Sequence, residues 1–210
     1  APLESSIIGR AVDKEIVSIN IVNLRDFGLG RYRQVDDTPY GGGAGMVLRA
    51  DVIKAAVDSV WQEGAKVLLM DPVGQPFHQA KAQSLTTAEH LIFICGHYEG
   101  VDARIRETIV DEMISVGDFV LTGGELPTMV VVDAVVRLIP EVLGNRESLA
   151  EESFNNGLLE APVYTRPSEF MGKGIPPVLL SGHHKNIELF RQEESLRMTK
   201  THRPDLLNKS

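Results

Sequence analysis

Ile114 to Pro127, ISVGDFVLTGGELP, changes its rhythm twice within a few residues. A short apolar piece enters Gly117-Asp118, resumes as Phe119-Val120-Leu121, breaks at Thr122-Gly123-Gly124 and opens a helical pattern at Glu125. It reads as two backbone turns around a three-residue strand. Glycine at such turns lets the chain take positive φ, and lets backbone N–H and C=O groups approach a flat, polar ligand with no Cβ in the way. Glycines alone are compatible with ordinary strand-end turns. Their weight here comes from two glycine-punctuated strand ends of the same kind upstream.

Working back from that stretch, Lys66–Met70 is a short apolar strand ending in Asp71-Pro72-Val73-Gly74. Leu91–Cys95 is a buried-type strand ending in Gly96-His97-Tyr98-Glu99-Gly100, and Met113–Val116 leads into the quoted residues. Helical spacing over Asp51–Glu63, His78–Glu89 and Val101–Val110 separates them. Strands alternating with short helices predict an α/β fold with a parallel sheet and helices on both faces. Ligands of such sheets bind outside the carboxyl ends of the strands, where the three glycine-marked turns converge. None of the turns carries G-x-G-x-x-G, which leaves a dinucleotide site little support.

Further upstream, Ser18–Leu24 reads as a strand and Arg25–Gly28 as a turn. RYRQVDDTPYGGGAGM at 31–46 lacks the Gly-Lys-Ser/Thr ending of a phosphate loop. A surface loop would account for it, yet Tyr40, Met46 and the nearby arginines also suit a loop that closes over a base and its phosphates. Downstream, Glu125–Pro140 reads as a long helix with Met129, Val132, Val136 and Ile139 toward the core and Arg137 outward. Polar residues 143–157 read as a linker, carrying Glu151 and Glu152 ahead of Phe154. The tail from 158 holds one amphipathic helix pattern, Asn186–Thr199, and is too small for a comfortable core of its own. It should therefore lean on the first domain or on a partner subunit. His183-His184 lack a third ligand at a sensible spacing and carry no metal prediction.

The 210 residues carry a net charge of −8, all of it before residue 145: 12 Lys+Arg against 20 Asp+Glu there, 9 against 9 beyond. A polyanion would have to be met by local basic patches, such as Arg25/Arg31/Arg33 and Arg191/Arg197/Lys200/Arg203, each equally compatible with a solvated face. The single cysteine, Cys95, excludes an intrachain disulfide and a cysteine-built zinc site, and reads as a small buried side chain. No apolar run approaches the roughly 20 residues of a membrane span. A soluble, cytoplasmic protein is expected.

PYGGGAGM at 39–46, ICGHYEGVDAR at 94–104, ISVGDFVLTGGELP at 114–127, VRLIPEVLG at 136–144, GLLEAPVYTRP at 157–167 and PPVLLSGHH at 176–184 occur in that order. Together they resemble the bacterial tRNA (guanine-N1)-methyltransferase family, TrmD, over almost the whole chain. The resemblance implies methyl transfer from S-adenosylmethionine to N1 of the guanine 3′ of the anticodon. It also implies a SPOUT-type parallel sheet with a C-terminal trefoil knot, which periodicity would not have suggested, plus a small, mainly helical C-terminal domain. The implied boundaries are 1–143 for the S-adenosylmethionine-binding domain, 144–157 for the linker and 158–210 for a tRNA-binding domain. A homodimer with shared active sites is implied too. The family begins with a strand ahead of the position of Ala1, so the chain is expected to be trimmed.

By position, the resemblance assigns cofactor binding to Leu69, Met70, Pro72, Gly96, Tyr98, Glu99, Ser115, Val116, Gly117, Asp118, Phe119, Val120, Leu121, Gly123, Gly124 and Pro127. Asp36, Tyr40, Gly41, Gly42 and Glu160 fall on the substrate side. Magnesium dependence is also implied, through the substrate, with no oxygen-ligand cluster to mark a site. The family base is an aspartate in an E-D-S-F-like motif; here Glu151-Glu152-Ser153-Phe154 keeps the carboxylate, one methylene longer. N1 of guanine must lose its proton to become a nucleophile, and negative charge then builds on O6. The resemblance assigns Glu152 as that base and Arg137 as the group that stabilises the charge. Two other readings are another SPOUT methyltransferase, acting on a ribose hydroxyl or ribosomal RNA, and an inactive tRNA-binding paralogue. The 39–46 and 176–184 motifs oppose the first, and only the longer residue at 152 favours the second.

Overall fold

The computed structural model describes residues 2–144 and 152–208, which fall into two compact units, 1–144 and 145–210. Of the residues named above, Ala1 and Glu151 lie outside the described residues, as does part of the expected linker.

In the first unit the chain runs α1 (Ser6–Asp13), β1 (Asp36–Asp37), β2 (Val47–Leu48), α2 (Ala50–Val60), β3 (Lys66–Pro76), α3 (Gln79–Leu85), β4 (Leu91–Cys95), α4 (Ala103–Thr108), β5 (Glu112–Ser115) and α5 (Glu125–Val136). The central sheet is parallel, in the order β4-β3-β5. Because β3 is flanked on both sides, its side chains alternate into two cores, which is why it reads as an unbroken apolar run. Val67 and Leu69 join Ile92 and Ile94 against Val52, Ile53 and Val57 of α2 and Ile105 of α4. Leu68 and Met70 pack with Ile114 against Ala82 and Leu85 of α3 and Val131 and Val135 of α5. Each face thus has its own pair of helices. A third small core joins Ile8 and Ala11 of α1 to Val136. The Glu112 carboxylate accepts from Lys66 and Lys81, tying β3, α3 and β5 together and lying below the usual carboxylate range because of those two ammonium groups.

Several expectations needed correction. Residues 18–24 form no strand: Ile21 is exposed, and the segment pairs with no neighbour among the described residues. Phe119–Leu121 is not a strand either, because the Phe119 N–H bonds back to the Gly117 carbonyl at 3.0 Å and curls the chain into a tight turn. The third helix stops at Leu85 instead of Glu89, where the hydroxyls of Thr86 and Thr87 donate to the carbonyls of Gln83 and Ser84. The helix from Glu125 ends at Val136, ahead of Pro140, which disfavours helical backbone in the residue before it. Its most buried line is Pro127, Val131 and Val135, with Val136; Met129, Val132 and Ile139 are only half-buried. The helix is apolar nearly all round, which hides its face from a periodicity argument.

β3 also runs past Met70, the expected end. Met70 and Gln75 both sit opposite Ile114 on β5, so residues 71–74 loop out and the strand then rejoins its partner. Gly74 is what allows the return, since a Cβ there would overlap the backbone of Met113 and Ile114.

The second unit contains a two-residue hairpin, β6 (Glu169–Phe170) with β7 (Lys173–Gly174), and a long helix, α6 (His184–His202). The hairpin was not expected from the sequence. Thr199 is the sole buried residue among the described residues of this unit.

Gly74→Ala is therefore expected to cost about 2 kcal/mol, the usual scale of overpacking, whereas Gly144→Ala, which meets nothing within 4 Å, should leave the melting temperature unchanged. Thermal unfolding of the two variants beside the wild type checks this.

Candidate active site

The loop-out within β3, the turn after β4 and the segment after β5 all lie at the same end of the sheet. The turn after β4 is a tight one, closed by the Gly100 N–H on the His97 carbonyl at 2.9 Å, with Tyr98 at φ 59. That value lies in the left-handed region, uncommon for a non-glycine residue. The segment after β5 turns on Ser115, whose hydroxyl donates to the Gly117 carbonyl at 3.1 Å while accepting from the Gly117 N–H at 3.2 Å. It then comes back against the β4 turn: the Gly124 N–H donates to the Gly96 carbonyl at 2.8 Å, and His97 and Gly123 form an antiparallel bridge. A Cβ on Gly124 would sit 2.7 Å from Cys95 Cα and 2.9 Å from Gly96 N. Only glycine permits this approach.

Between the three segments lies a cavity of about 270 Å³. Its lining includes fifteen of the sixteen residues expected to hold a cofactor. The other, Asp118, is exposed at the apex of the Gly117–Phe119 turn and does not line it. Backbone atoms from the glycine turns and apolar side chains such as Leu69, Val116 and Pro127 give the cavity a mixed wall suited to a flat, partly polar ligand.

Asp71, His97 and Arg106 also line it and are not among those sixteen. The Asp71 carboxylate accepts from Arg106 Nη2 at 2.7 Å and from the Val73 N–H at 3.0 Å. The two partners are 35 residues apart, so no local spacing announces the pair. It follows from the strand order, because α4 must pass across β3 to connect β4 with β5. His97 Nε2 lies 3.0 Å from Glu125 Oε1, joining the β4 turn to the first turn of α5. A Cβ on Gly123 would strike this same His97 nitrogen, at 2.6 Å.

The glycine-rich loop joins β1 to β2 and is coupled to the cavity through its far end. The Glu99 N–H donates to the Met46 carbonyl, the Leu48 N–H to that of Gly100 and the Asp102 N–H to that of Leu48, each at 3.0 Å. Gly45, at φ 85, leaves the space that the Glu99 side chain fills, with Glu99 Oε1 2.6 Å from where a Cβ would be. Tyr40, Gly41 and Gly42 at the outer end are exposed, and Asp36 is half-buried on β1. Asp102 caps α4 through the Arg104 N–H at 2.9 Å. The Arg104 guanidinium beside it holds its carboxyl down at about 2.

A family model described as tRNA (Guanine-1)-methyltransferase TrmD matches residues 1–209. The chain belongs to the TrmD family. Among curated relatives, a tRNA (guanine-N(1)-)-methyltransferase of Brevibacillus brevis is 57% identical over 208 residues, covering 99% of this chain and 86% of its own. One from Staphylococcus carnosus is 55% identical, over 99% of this chain and 85% of its own, and one from Bacillus cereus strain B4264 is 55% identical over 97% and 85%.

Arg137 closes the C-terminal end of α5, its N–H donating to the Asp133 carbonyl at 3.3 Å. Glu152 and Glu160 belong to the second unit, where the Glu160 N–H donates to the Ser153 hydroxyl at 2.9 Å and so brings the two glutamates onto one local loop. Among the described residues no group of three or more His, Cys, Asp or Glu side chains could hold a metal ion. No described helix is long and apolar enough to cross a membrane.

The Asp102 carboxyl titrates lower in the folded chain than its ordinary value near 3.8. Its contribution is fully present above that value and is lost as the pH falls through about 2. Asp102→Ala should thus lower the melting temperature by a constant amount above pH 4, and by a shrinking amount from there toward pH 2.

Proposed function

We propose that the chain, a tRNA (guanine-N1)-methyltransferase by its family, transfers the methyl group of S-adenosylmethionine to N1 of the guanine 3′ of the anticodon. The observation that carries this reading is the cavity at the strand ends, with its glycine walls, set in a chain that matches the family over residues 1–209. When bound, S-adenosylmethionine supplies an electrophilic methyl on a sulfonium cation. The residues present suit it. Gly96, Gly123 and Gly124 contribute backbone to the cavity wall, and the Glu99 carboxylate on that wall complements the positive sulfur. Leu69, Met70, Pro72, Tyr98 and the Ser115–Leu121 segment, with Pro127, take the remaining contacts.

Toward the tRNA, Tyr40, Gly41 and Gly42 with Asp36 receive the target nucleotide, and Glu152 takes the proton from N1. A glutamate with an ordinary pKa of ~4.3 is a weak base, so it works by being held within hydrogen-bond reach of that proton and shielded from water. The Arg137 guanidinium meets the charge that develops on O6, and Glu160 supports the Glu152 carboxylate. Holding nucleophile and methyl in line supplies much of the rate.

The parallel sheet with interleaved loops is compatible with a SPOUT fold knotted at its C-terminal strands. A homodimer that completes the site is the second part of the proposal. Its support is apolar surface: Leu126 and Val130 stand exposed on one side of α5, and Val163, Phe170, Met171 and Leu180 are exposed in the second unit.

Methyl transfer from labelled S-adenosylmethionine to an unmodified tRNA with guanine 3′ of the anticodon tests the reading, beside the same tRNA with adenine there. Label on the guanine tRNA alone is expected; equal labelling of both, or of neither, contradicts it. Glu152→Gln should slow single-turnover transfer by about 100-fold or more, and Arg137→Ala should slow it with little change in S-adenosylmethionine affinity. A near-normal rate for Glu152→Gln would remove it from the role of base.

A further inference from the structure

The one buried residue among the described residues of the second unit is polar. Thr199, on α6, is 0% exposed. Its hydroxyl donates to the Ser195 carbonyl one turn earlier at 2.8 Å and accepts from the Leu159 N–H at 2.9 Å. The Ser195 hydroxyl donates to the Leu159 carbonyl at 2.5 Å. Both backbone polar groups of Leu159 are therefore held by side chains from successive turns of one helix.

Leu159 closes a small loop that carries both glutamates of the proposed site. The Phe154 N–H donates to the Leu158 carbonyl at 2.7 Å, and the Leu158 N–H to the Asn156 side chain at 3.2 Å. The Glu160 N–H reaches back to the Ser153 hydroxyl at 2.9 Å. Phe154 sits at φ 76, a conformation that a bulky residue holds only where its surroundings over-determine it. Its ring lies 5.8 Å from the Arg203 guanidinium, which Asp205 fixes with two hydrogen bonds at 2.9 and 2.8 Å. The C-terminal half of α6 and the turn after it thus grip residues 152–160 at both ends.

We propose that Thr199, with Ser195, is a positioning residue for methyl transfer: the two hydroxyls clamp Leu159 and so fix the loop that presents Glu152 and Glu160. The proposal rests on the reading of Glu152 as the base. A base acts only within hydrogen-bond reach of its proton, so a loop displaced by about 1 Å loses rate on the order of 100-fold while the cofactor cavity, built from another part of the chain, keeps its affinity. Arg203, one of the four cations of the second basic patch, takes part in this grip.

The test uses the full chain and compares Thr199→Val, Thr199→Ser and Ser195→Ala with Glu152→Gln in steady-state methylation of tRNA. Thr199→Val keeps the shape and removes the hydroxyl; it should lower kcat by about tenfold to a hundredfold with KM for S-adenosylmethionine within twofold. Thr199→Ser should recover most of the rate. A folded Thr199→Val at the wild-type rate overturns the proposal, and so does Thr199→Ser as slow as Thr199→Val, since the methyl group and not the hydroxyl would then matter. If Thr199→Val does not fold, Ser195→Ala decides: a lower kcat at unchanged KM supports the clamp, and a wild-type kcat overturns it. Glu152→Gln at the wild-type rate removes the reading of the base and this proposal with it, whereas a slow Glu152→Gln beside a fast Thr199→Val removes the clamp alone.

Discussion

The contact between Gly124 and the Cys95–Gly96 backbone is the constraint on which the first unit's chemistry depends. A hydrogen bond of 2.8 Å joins the two segments where a single methyl group would separate them. The contact sets where α5 begins, it brings Gly123 against His97, and it leaves the space between the strand ends open. A second close approach, Gly74 on Met113 and Ile114, does the same for the other wall by letting β3 leave its partner and return to it. Both sites are backbone against backbone. Their energetics are steric, and no side-chain rearrangement can relieve an added carbon cheaply.

The candidate catalytic carboxylates are held by a different kind of interaction. Among the described residues of the second unit almost nothing is buried, and the one residue that is makes hydrogen bonds through its side-chain hydroxyl. Geometry there comes from directed bonds to backbone groups, which orient a loop without a large apolar core. Close backbone contacts accordingly shape the cavity, and polar clamps hold the loop of the proposed carboxylates.

The sheet was legible because its strands are buried on both faces and so read as short apolar runs: Leu91–Cys95 was bounded correctly from composition alone. The cavity was legible because glycine marks each strand end. What escaped depends on long-range placement. The Asp71–Arg106 pair exists only because α4 crosses β3, and no spacing in the chain encodes that crossing. The exposed face of α5 could not be read because the helix is apolar nearly all round. Residues 18–24 have strand composition but no neighbour to pair with among the described residues, and a strand is defined by its neighbour. The roles proposed for Glu152 and Arg137 came from resemblance to a family and not from any pattern of their own. The long loop-out of β3 at 71–74 shows up in the sequence only as Pro72 and Gly74.

Calorimetric titration of S-adenosylmethionine into the wild type and into Gly124→Ala tests most directly whether the glycine contact makes the cofactor cavity. The account predicts saturable binding to the wild type and affinity weaker by about tenfold or more in a folded Gly124→Ala, the scale of a modest overpacking penalty. Wild-type affinity in that variant, or no binding to the wild type, would contradict it.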